Sequence, residues 1–424
     1  MSTPIYISQA RLLDPAAGRD TFGALFIDAQ GRIAEPPEHL EGVRIVDRPG
    51  LIVMPGCCDV HVHFRDPGNT AAEDLFSGSE AAACGGFTRV VTMPNTTPAT
   101  DSPELIRRAR KAQTAVSIYP AACCTKGRAG QEPANLEALA EAGAACFTDD
   151  GSMVANPDVM RQVMRRAKAL GRVVMDHAVR PDIQNGGVIR ACPVQMRFNL
   201  PVFPAEAEVQ AVRDDLARCR ETGCRLHIQH LSCAESVALI RAAQKEGLPV
   251  SAEATPHHIA LCAEEIPGDN GNWRMNPPLG THADVEALRE GLCDGTLALF
   301  ATDHAPHTPT SKANGFLKAP FGIIGLETAL PVTWNVMVRS GLMSPLAWCA
   351  AWSQKPNALL GLPQPVLKLG ETAELTLFDP EAEWIVSRET LKSKSLDTPW
   401  LGQPLRGRAL ATIRNGQLYG QLPE

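Results

Sequence analysis

Residues 51–68 read LIVMPGCCDVHVHFRDPG, an apolar run that ends in two histidines and an arginine. His61 and His63 are two positions apart, and residues two apart in a β-strand point to the same side. Both imidazoles can therefore bind one metal ion, since imidazole is a common ligand of zinc. A His-x-His pattern also arises by chance, so its meaning depends on the rest of the chain.

Other strand-like runs also end in histidine or aspartate, and they lead into Asp150, His177, His230 and Asp303. Helix-like segments separate these runs, and this alternation predicts a parallel sheet with crossover helices. Periodicity alone also fits an open, doubly wound sheet, but the chain has no Gly-rich nucleotide-binding motif. In a (β/α)₈ barrel all C-terminal strand ends open onto one face, where active sites are built. We therefore predict an α/β fold of the (β/α)₈ TIM-barrel type, with these side chains converging on one face.

The two ends of the chain differ from the middle because they read as short strands and turns. Asn415-Gly416 near the C-terminus is a strong hairpin signal. We predict one small β-rich domain composed of residues 1–54 and 364–424, and a barrel domain composed of residues 55–363.

Composition excludes several classes of protein. The 424 residues are 44% hydrophobic and carry a formal net charge of −7 without a long basic run, which argues against a nucleic-acid partner. No apolar window reaches about 18 residues, so we expect no membrane span. The N-terminus does not resemble a signal peptide, and the 13 cysteines fit reduced, buried thiols. These features predict a cytoplasmic enzyme, and an anionic small-molecule substrate is compatible with the modest net charge.

The set of histidines and aspartates indicates a type of chemistry. Nitrogen and carboxylate ligands suit Zn²⁺, and an aspartate can bridge two ions through its two oxygens. Zinc lowers the pKa of water to about 7 and polarises a carbonyl group. An aspartate beside that water can carry its proton to a leaving nitrogen. The pattern therefore favours a hydrolase that acts on an amide or a similar bond.

Residues 59–68 resemble the signature of the dihydroorotases, a family of the cyclic amidohydrolase superfamily. Further motifs match this family in its order, at residues 93–96, 147–151, 275–279, 301–307 and 320–327. The resemblance runs from about residue 55 to residue 363. The β-rich ends of the chain also fit the composite second domain of the family.

The resemblance implies two zinc ions per subunit. One ion would be held by His61, His63 and Asp303, and the second by His177 and His230. Asp150 would bridge the two ions. Hydantoinases and allantoinases usually have a carboxylated lysine at the bridging place, so Asp150 resembles the bacterial dihydroorotase type.

The resemblance also implies roles around the substrate. Asp303 would be the general acid and base. The substrate carboxylate would be held by Arg65, Asn95 and His307, since a guanidinium group suits an anionic handle. The pyrimidine ring would be bound by Asn276 together with the backbone of Phe321 and Gly322. Six other residues are expected to be structural rather than ligands, namely Asp149, Asp176, His227, His257, His258 and His304.

Two positions depart from the family pattern. After His177 the family usually continues Cys-Glu-Asp, whereas this chain has Ala178-Val179-Arg180. After Asn-Pro-Pro-Leu the family commonly has an arginine, whereas this chain has Gly280. These departures concern the surroundings of the second metal ion and one positive charge near the substrate.

We expect the family's reaction, the reversible cyclisation of N-carbamoyl-L-aspartate to L-dihydroorotate in pyrimidine biosynthesis. One alternative is a hydrolase of another cyclic amide, such as a hydantoin or allantoin. Another alternative is a non-catalytic partner of aspartate transcarbamoylase, although such chains are expected to have lost metal ligands. We further expect a homodimer and consider association with aspartate transcarbamoylase.

Overall fold

The computed structural model describes residues 3–420 and residue 422. It is an α/β structure, as the sequence predicts. The strands are β1 (Ile5–Asp14), β2 (Arg19–Ile27), β3 (Ile33–Ala34), β4 (Arg44–Asp47), β5 (Ile52–Pro55), β6 (Cys57–Val62), β7 (Phe87–Thr92), β8 (Ser117–Pro120), β9 (Val174–Asp176), β10 (Leu226–Ile228), β11 (Val250–Ala254), β12 (Leu299–Phe300), β13 (Leu375–Ile385), β14 (Pro404–Arg414) and β15 (Gln417–Gly420).

Helices occupy most of the middle of the chain. They are α1 (Leu75–Cys84), α2 (Pro103–Lys111), α3 (Leu136–Glu141), α4 (Pro157–Ala169), α5 (Pro181–Gln184), α6 (Pro193–Arg197), α7 (Glu206–Thr222), α8 (Ala234–Lys245), α9 (Pro256–Ala260), α10 (His282–Asp294), α11 (Pro309–Lys312), α12 (Gly315–Lys318), α13 (Ala329–Thr333), α14 (Pro345–Trp352) and α15 (Gln354–Leu360). Over residues 3–420, none of these helices is long and apolar enough to cross a membrane.

Both ends of the chain contribute to one sheet. Its strand order is β15-β14-β13-β5-β1-β2-β3, and β4 pairs with β1. Strand β13 pairs antiparallel with β5, which joins the C-terminal strands to the N-terminal ones. One face of the sheet has its own apolar core, which includes Ile7, Val46, Leu375 and Ile413.

The remaining strands are parallel and form a second, curled layer. Strands β6, β7 and β8 make one sheet, and β9 to β12 make another. Phe147 links the two sheets because it bridges to Ala122 on one side and to Val174 on the other. On the opposite edge Val62 bridges to His304. The bridges therefore join both edges of the two parallel sheets.

The strand β13 shows how the two layers pack. Residues 373–378 alternate in the sequence, which predicts a strand, and β13 begins at Leu375. Leu375, Thr376, Leu377 and Phe378 are all buried. The ring of Phe378 lies 5.5 Å from that of Trp348, on the side that faces the parallel layer. Both faces of β13 are therefore covered in this segment.

Local signals agree with the structure at several points. Asn156 caps α4, since its side chain accepts from the backbone N–H of Asp158 and Val159. The predicted hairpin at Asn415-Gly416 joins β14 to β15. Both residues have positive φ angles, 51° and 74°, as a tight two-residue hairpin turn requires.

One predicted helix cap is wrong. Ser232 stands just before a helix-like run that extends through Ala243, a position that predicts a helix cap, but α8 begins after Cys233 without a side-chain cap. The hydroxyl of Ser232 instead donates to the buried carboxylate of Glu208 at 2.5 Å. Ser232 therefore pairs with a buried carboxylate of α7 instead of capping α8.

Candidate metal centre

The predicted ligands all lie at the C-terminal ends of the parallel strands. His61 is inside β6 and His63 follows it, while His177 follows β9 and His230 follows β10. Asp303 follows β12, and Asp150 follows the bridge at Phe147. Parallel strands present these ends at one edge, so residues from distant parts of the sequence meet there.

Two of these residues, together with Arg65, have an unusual backbone conformation. Arg65, His230 and Asp303 have φ angles of 57°, 33° and 48°. A positive φ is uncommon outside glycine and often occurs at functional sites.

The first donor group surrounds a point between two histidines and two aspartates. Nε2 of His61 lies 3.2 Å from Oδ1 of Asp150 and 3.4 Å from Oδ1 of Asp303. Nε2 of His63 lies 3.0 Å from Oδ1 of Asp303 and 3.4 Å from Oδ2 of Asp150. Ligand atoms about 2.0 Å from a tetrahedral ion are about 3.3 Å apart. These spacings fit one shared ion.

The second donor group shares Asp150 with the first. Nδ1 of His177 lies 2.8 Å from Nε2 of His230. Oδ1 of Asp150 lies 3.7 Å from Nδ1 of His177 and 3.9 Å from Nε2 of His230. The geometry allows two ions with Asp150 between them.

The state of the donor atoms also fits a metal. Nε2 of His61 and Oδ1 of Asp150 are buried and have no hydrogen-bond partner. Burial and the neighbouring His177 hold the pKa of His230 well below its ordinary value. Burial works to raise the pKa of Asp150, but His61 and His63 hold it well below the ordinary range. The imidazole of His230 is therefore neutral and the carboxylate is charged, as metal ligands must be. Burial works to lower the pKa of His61, but Asp150 and Asp303 hold it well above the ordinary value, so a metal ion bound there would replace a proton.

The buried carboxylate of Glu253 orients the imidazole of His61. Oε1 of Glu253, on β11, accepts from Nδ1 of His61 at 2.8 Å. Oε2 of the same group accepts from Nε2 of His227 at 3.0 Å. Hydrogen bonds from His227 and His61 outweigh burial and lower the pKa of Glu253 to about 2. A charged acceptor on Nδ1 leaves Nε2 of His61 free to bind a metal.

Asn95 orients His63, and Arg128 holds the backbone of Asp150. Oδ1 of Asn95 accepts from Nδ1 of His63 at 2.8 Å, which likewise directs Nε2 of His63 towards the centre. The guanidinium of Arg128 donates to the backbone carbonyls of Asp149 and Asp150, at 3.2 Å and 2.5 Å. Arg128 therefore fixes the backbone that carries the shared carboxylate.

A cavity of about 230 Å³ opens beside the predicted metal ligands. The residues expected to bind substrate all line it, namely Arg65, Asn95, Asn276, His307, Phe321 and Gly322.

Arg65 and His307 lie side by side in this cavity. Nε of Arg65 donates to the carbonyl of Pro306 at 3.2 Å. Nε2 of His307 donates to the carbonyl of Phe321 at 2.7 Å, so its 3.5 Å approach to Nη2 of Arg65 is a close contact only. Burial and the charge of Arg65 lower the pKa of His307 to about 3. Arg65 is thus the charged member of this pair.

Asn276 contacts the second donor group through one end of its amide. Nδ2 lies 3.0 Å from Nε2 of His177, and Oδ1 is buried with no hydrogen-bond partner. A histidine that binds a metal through Nδ1 keeps its proton on Nε2, which then acts as a donor. Exchange of the two amide ends lets Oδ1 accept from Nε2 of His177.

The backbone of Gly322 already has partners inside the protein. Its N–H donates to the carbonyl of Arg274 at 3.0 Å, and its carbonyl accepts from Nζ of Lys312 at 2.7 Å. A ligand in the cavity can therefore reach only the second lone pair of the Gly322 carbonyl.

Three of the residues expected to be structural, Asp149, His258 and His304, have hydrogen-bond partners of their own. Asp149 accepts from the backbone and hydroxyl of Thr125, and His304 accepts from the N–H of Gly325. Nε2 of His258 donates to the carbonyl of Pro277 at 3.0 Å. Asp176, His227 and His257 are buried.

The two departures from the family pattern have structural reasons. Val179 is buried in a small apolar cluster with Phe203 and Ala207, and Arg180 pairs with Asp214 outside the cavity. A Cβ atom added at Gly280 would lie 2.6 Å from the carbonyl oxygen of Ser232. The backbone of the 232 segment therefore leaves no space for a side chain at Gly280.

Glu253 and Arg128 are the supporting residues that sequence reasoning missed. Glu253 is the acidic residue of β11, whose other residues are small and uncharged. A charged residue in such a strand was the signal that sequence reasoning could have used. Arg128 lies in a Gly-rich turn, where a charged residue is usually solvated, and only the tertiary contact distinguishes it.

Comparisons with known proteins show the family of the chain. A family model described as Dihydro-orotase-like matches residues 50–236. A protein named Dihydroorotase from Pelotomaculum thermopropionicum is 39% identical over 421 residues, which cover 98% of each chain. Another of that name from Geobacillus kaustophilus is 40% identical over 388 residues, 91% of this chain and 90% of the other.

Solved structures are similar in fold. The L-hydantoinase (dihydropyrimidinase) from Arthrobacter aurescens has a TM-score of 0.86 at 24% identity and covers 100% of this chain and 97% of its own. The dihydropyrimidinase from Brevibacillus agri has a TM-score of 0.83 at 21% identity, with 99% and 95% covered. At these identities the likeness concerns the fold alone.

Proposed function

The chain belongs to the dihydroorotase family, and from that premise we propose that it interconverts N-carbamoyl-L-aspartate and L-dihydroorotate. The observation that carries the proposal is one cavity that combines two donor groups sharing Asp150 with a partly buried, charged Arg65. The first feature suits hydrolysis of an amide, and the second suits a substrate with a carboxylate. A non-catalytic partner of aspartate transcarbamoylase has no need of either feature.

The architecture we propose is a closed (β/α)₈ barrel over residues 55–363, with a composite β domain from residues 1–54 and 364–424. The bridges at Phe147 and His304, which join both edges of the parallel sheets, support closure. The shared sheet of the two chain ends supports the composite domain.

We propose that two Zn²⁺ ions occupy the centre. His61, His63 and Asp303 would hold one ion, His177 and His230 the other, and Asp150 would contact both. Bound zinc supplies Lewis acidity, which lowers the pKa of water and polarises the carbonyl under attack. Glu253 and Asn95 orient the imidazoles of His61 and His63 for this purpose.

Asp303 has the position of a proton carrier. Its carboxylate borders the cavity and lies beside His61 and His63. In the hydrolytic direction water adds to the ring amide carbonyl, and Asp303 accepts the proton that water loses. The carbon–nitrogen bond then breaks, and Asp303 returns this proton to the leaving nitrogen. Cyclisation follows the same steps in reverse.

The remaining cavity residues would orient the substrate. Arg65 would pair with the carboxylate, and Nδ2 of Asn95 would add a neutral donor, because Oδ1 is engaged by His63. Neutral His307 holds the carbonyl of Phe321 in place. Asn276, which lines the cavity, would donate to a ring carbonyl from its side-chain amide.

A substrate panel tests the proposed activity. We expect the zinc-loaded enzyme to give its highest kcat/KM with L-dihydroorotate, well above hydantoin and allantoin, and to lose activity with a chelator. Equal or faster turnover of hydantoin would overturn the choice of substrate. A chain purified without metal, and unresponsive to added zinc, would favour the non-catalytic role.

Three further expectations stay predictions. Sedimentation velocity of the purified chain tests the homodimer, and the same measurement with aspartate transcarbamoylase tests their association. Cell fractionation tests the cytoplasmic location.

A further inference from the structure

A second group of metal-binding side chains lies outside the cavity. Cys262 is buried just after α9, Glu264 follows it in a single turn, and His282 begins α10. One ligand atom from each of the three lies within 4.8 Å of the other two. Glu264 and His282 are exposed, so an ion can reach the group from solvent.

The spacing of the two soft donors fits a single ion. Sγ of Cys262 lies 3.4 Å from Nε2 of His282. Sulfur about 2.3 Å and nitrogen about 2.1 Å from a tetrahedral zinc ion are about 3.6 Å apart. The exposed side chain of Glu264 needs only a rotation to supply a third ligand, and water can fill the fourth position.

The backbone around this group is already fixed. The N–H of Cys262 donates to Oε2 of Glu265 at 3.1 Å, and the N–H of Ala263 donates to the carbonyl of Gly280 at 2.8 Å. The second of these bonds ties the turn to the segment that leads from Asn276 to α10. Little ordering is therefore needed before an ion binds, and ordering is a main cost of building a site.

We propose that Cys262, His282 and Glu264 form a peripheral site for one borderline-soft divalent cation, with Zn²⁺ as the expected ion. A thiolate and an imidazole favour Zn²⁺ and Co²⁺ over Mg²⁺ and Ca²⁺, which prefer oxygen ligands. The site is separate from the two donor groups of the cavity and does not depend on the proposed activity.

Binding at this site releases a proton. Burial, with a contribution from Glu264, raises the pKa of the Cys262 thiol to about 12, so the thiol is protonated before binding. A coordinating thiol loses its proton to solvent as the metal–sulfur bond forms.

Cobalt spectroscopy can distinguish this site from the catalytic centre. A thiolate bound to Co²⁺ gives a strong charge-transfer absorption in the near ultraviolet, whereas histidine and aspartate ligands do not. The proposed catalytic ligands include no cysteine, so such a band reports on a thiolate site alone. We would titrate enzyme that carries only two equivalents of zinc per chain, those of the proposed catalytic centre, with Co²⁺ and follow this absorption.

We expect the band to saturate at one equivalent in the wild type and to be lost in Cys262→Ser. His282→Ala should reduce the band and make the titration shallower. Cys293→Ser is the matched control, because Cys293 is the exposed cysteine on the same helix, and this variant should keep the full band. Dihydroorotate turnover, or far-ultraviolet circular dichroism, shows that each variant is folded.

Two outcomes would overturn the proposal. One is the lack of a charge-transfer band in wild-type protein exposed to excess Co²⁺. The other is a band that survives unchanged in Cys262→Ser, which would assign it to another cysteine.

Discussion

The carboxylate of Glu253 accepts a hydrogen bond from Nδ1 of His61 at 2.8 Å, although 192 residues separate the two along the chain. The bond fixes the tautomer of His61 and leaves Nε2 facing Asp150. The other oxygen of Glu253 accepts a hydrogen bond from Nε2 of His227, so the carboxylate cannot rotate away from His61. The proposed metal centre would therefore depend on a residue that is not itself one of the proposed ligands.

Replacing this carboxylate should weaken metal binding. We expect Glu253→Gln to lower zinc affinity about 10- to 100-fold, because loss of such an orienting partner typically costs that much. Competition with a chromophoric chelator measures the affinity. Glu132→Gln, at an exposed carboxylate, is the matched control and should bind zinc like the wild type. Unchanged affinity in Glu253→Gln would contradict the orienting role.

Arg65 should control recognition of the substrate carboxylate. A hydrogen bond to a charged group contributes about 1.5–3 kcal/mol, so we expect Arg65→Lys to raise the KM for dihydroorotate about 10- to 100-fold. Steady-state kinetics checks this, with Arg107→Lys at an exposed position as the control. A KM that stays at the wild-type value would remove Arg65 from the carboxylate site.

His258 should make stability depend on pH. Burial lowers the pKa of His258 to about 4, against 6.5 for an ordinary histidine. Between these values the unfolded chain binds a proton that the native chain excludes, so stability falls as the pH drops from about 6.5 to about 4. The difference corresponds to about 3 kcal/mol.

Urea unfolding across this pH range measures the effect. His258→Gln should lose about 3 kcal/mol less stability than the wild type over the same interval. His39→Gln, which replaces an exposed ring, should follow the wild type. Parallel pH profiles for wild type and His258→Gln would refute the assignment.

Gly280 should not tolerate the arginine that is common in the family. A Cβ atom would lie 2.6 Å from the Ser232 carbonyl and 2.6 Å from Cβ of Asp284. Overpacking of this kind costs about 1–3 kcal/mol, so Gly280→Ala and Gly280→Arg should both lower the Tm. A gain in kcat/KM for Gly280→Arg without loss of Tm would show that this chain can accommodate the family's charge.

The sequence was sufficient to predict which donors meet. His61, Asp150 and His230 each follow an apolar run, and the C-terminal ends of parallel strands must share one edge. The exact register did not matter for that prediction, because every ligand sits within a few residues of its strand end.

Contacts between elements that are far apart in the sequence could not be predicted. The bond from Ser232 to Glu208 overrides a local cap, and the burial of Phe378 on β13 requires a second layer that covers the sheet. The role of Glu253 likewise depends on the contact between β11 and β6, which brings its carboxylate to His61. Such contacts join residues far apart in sequence, where neither propensity nor periodicity carries information.

The most direct test compares dihydroorotate turnover by the wild type and Asp303→Asn, with the zinc content measured on both. We expect an active wild type and a kcat about 100- to 10,000-fold lower in Asp303→Asn at equal zinc content, since the amide cannot carry a proton. Failure of the zinc-loaded wild type to turn over dihydroorotate, or a wild-type rate in Asp303→Asn, would contradict the proposed reaction and its mechanism.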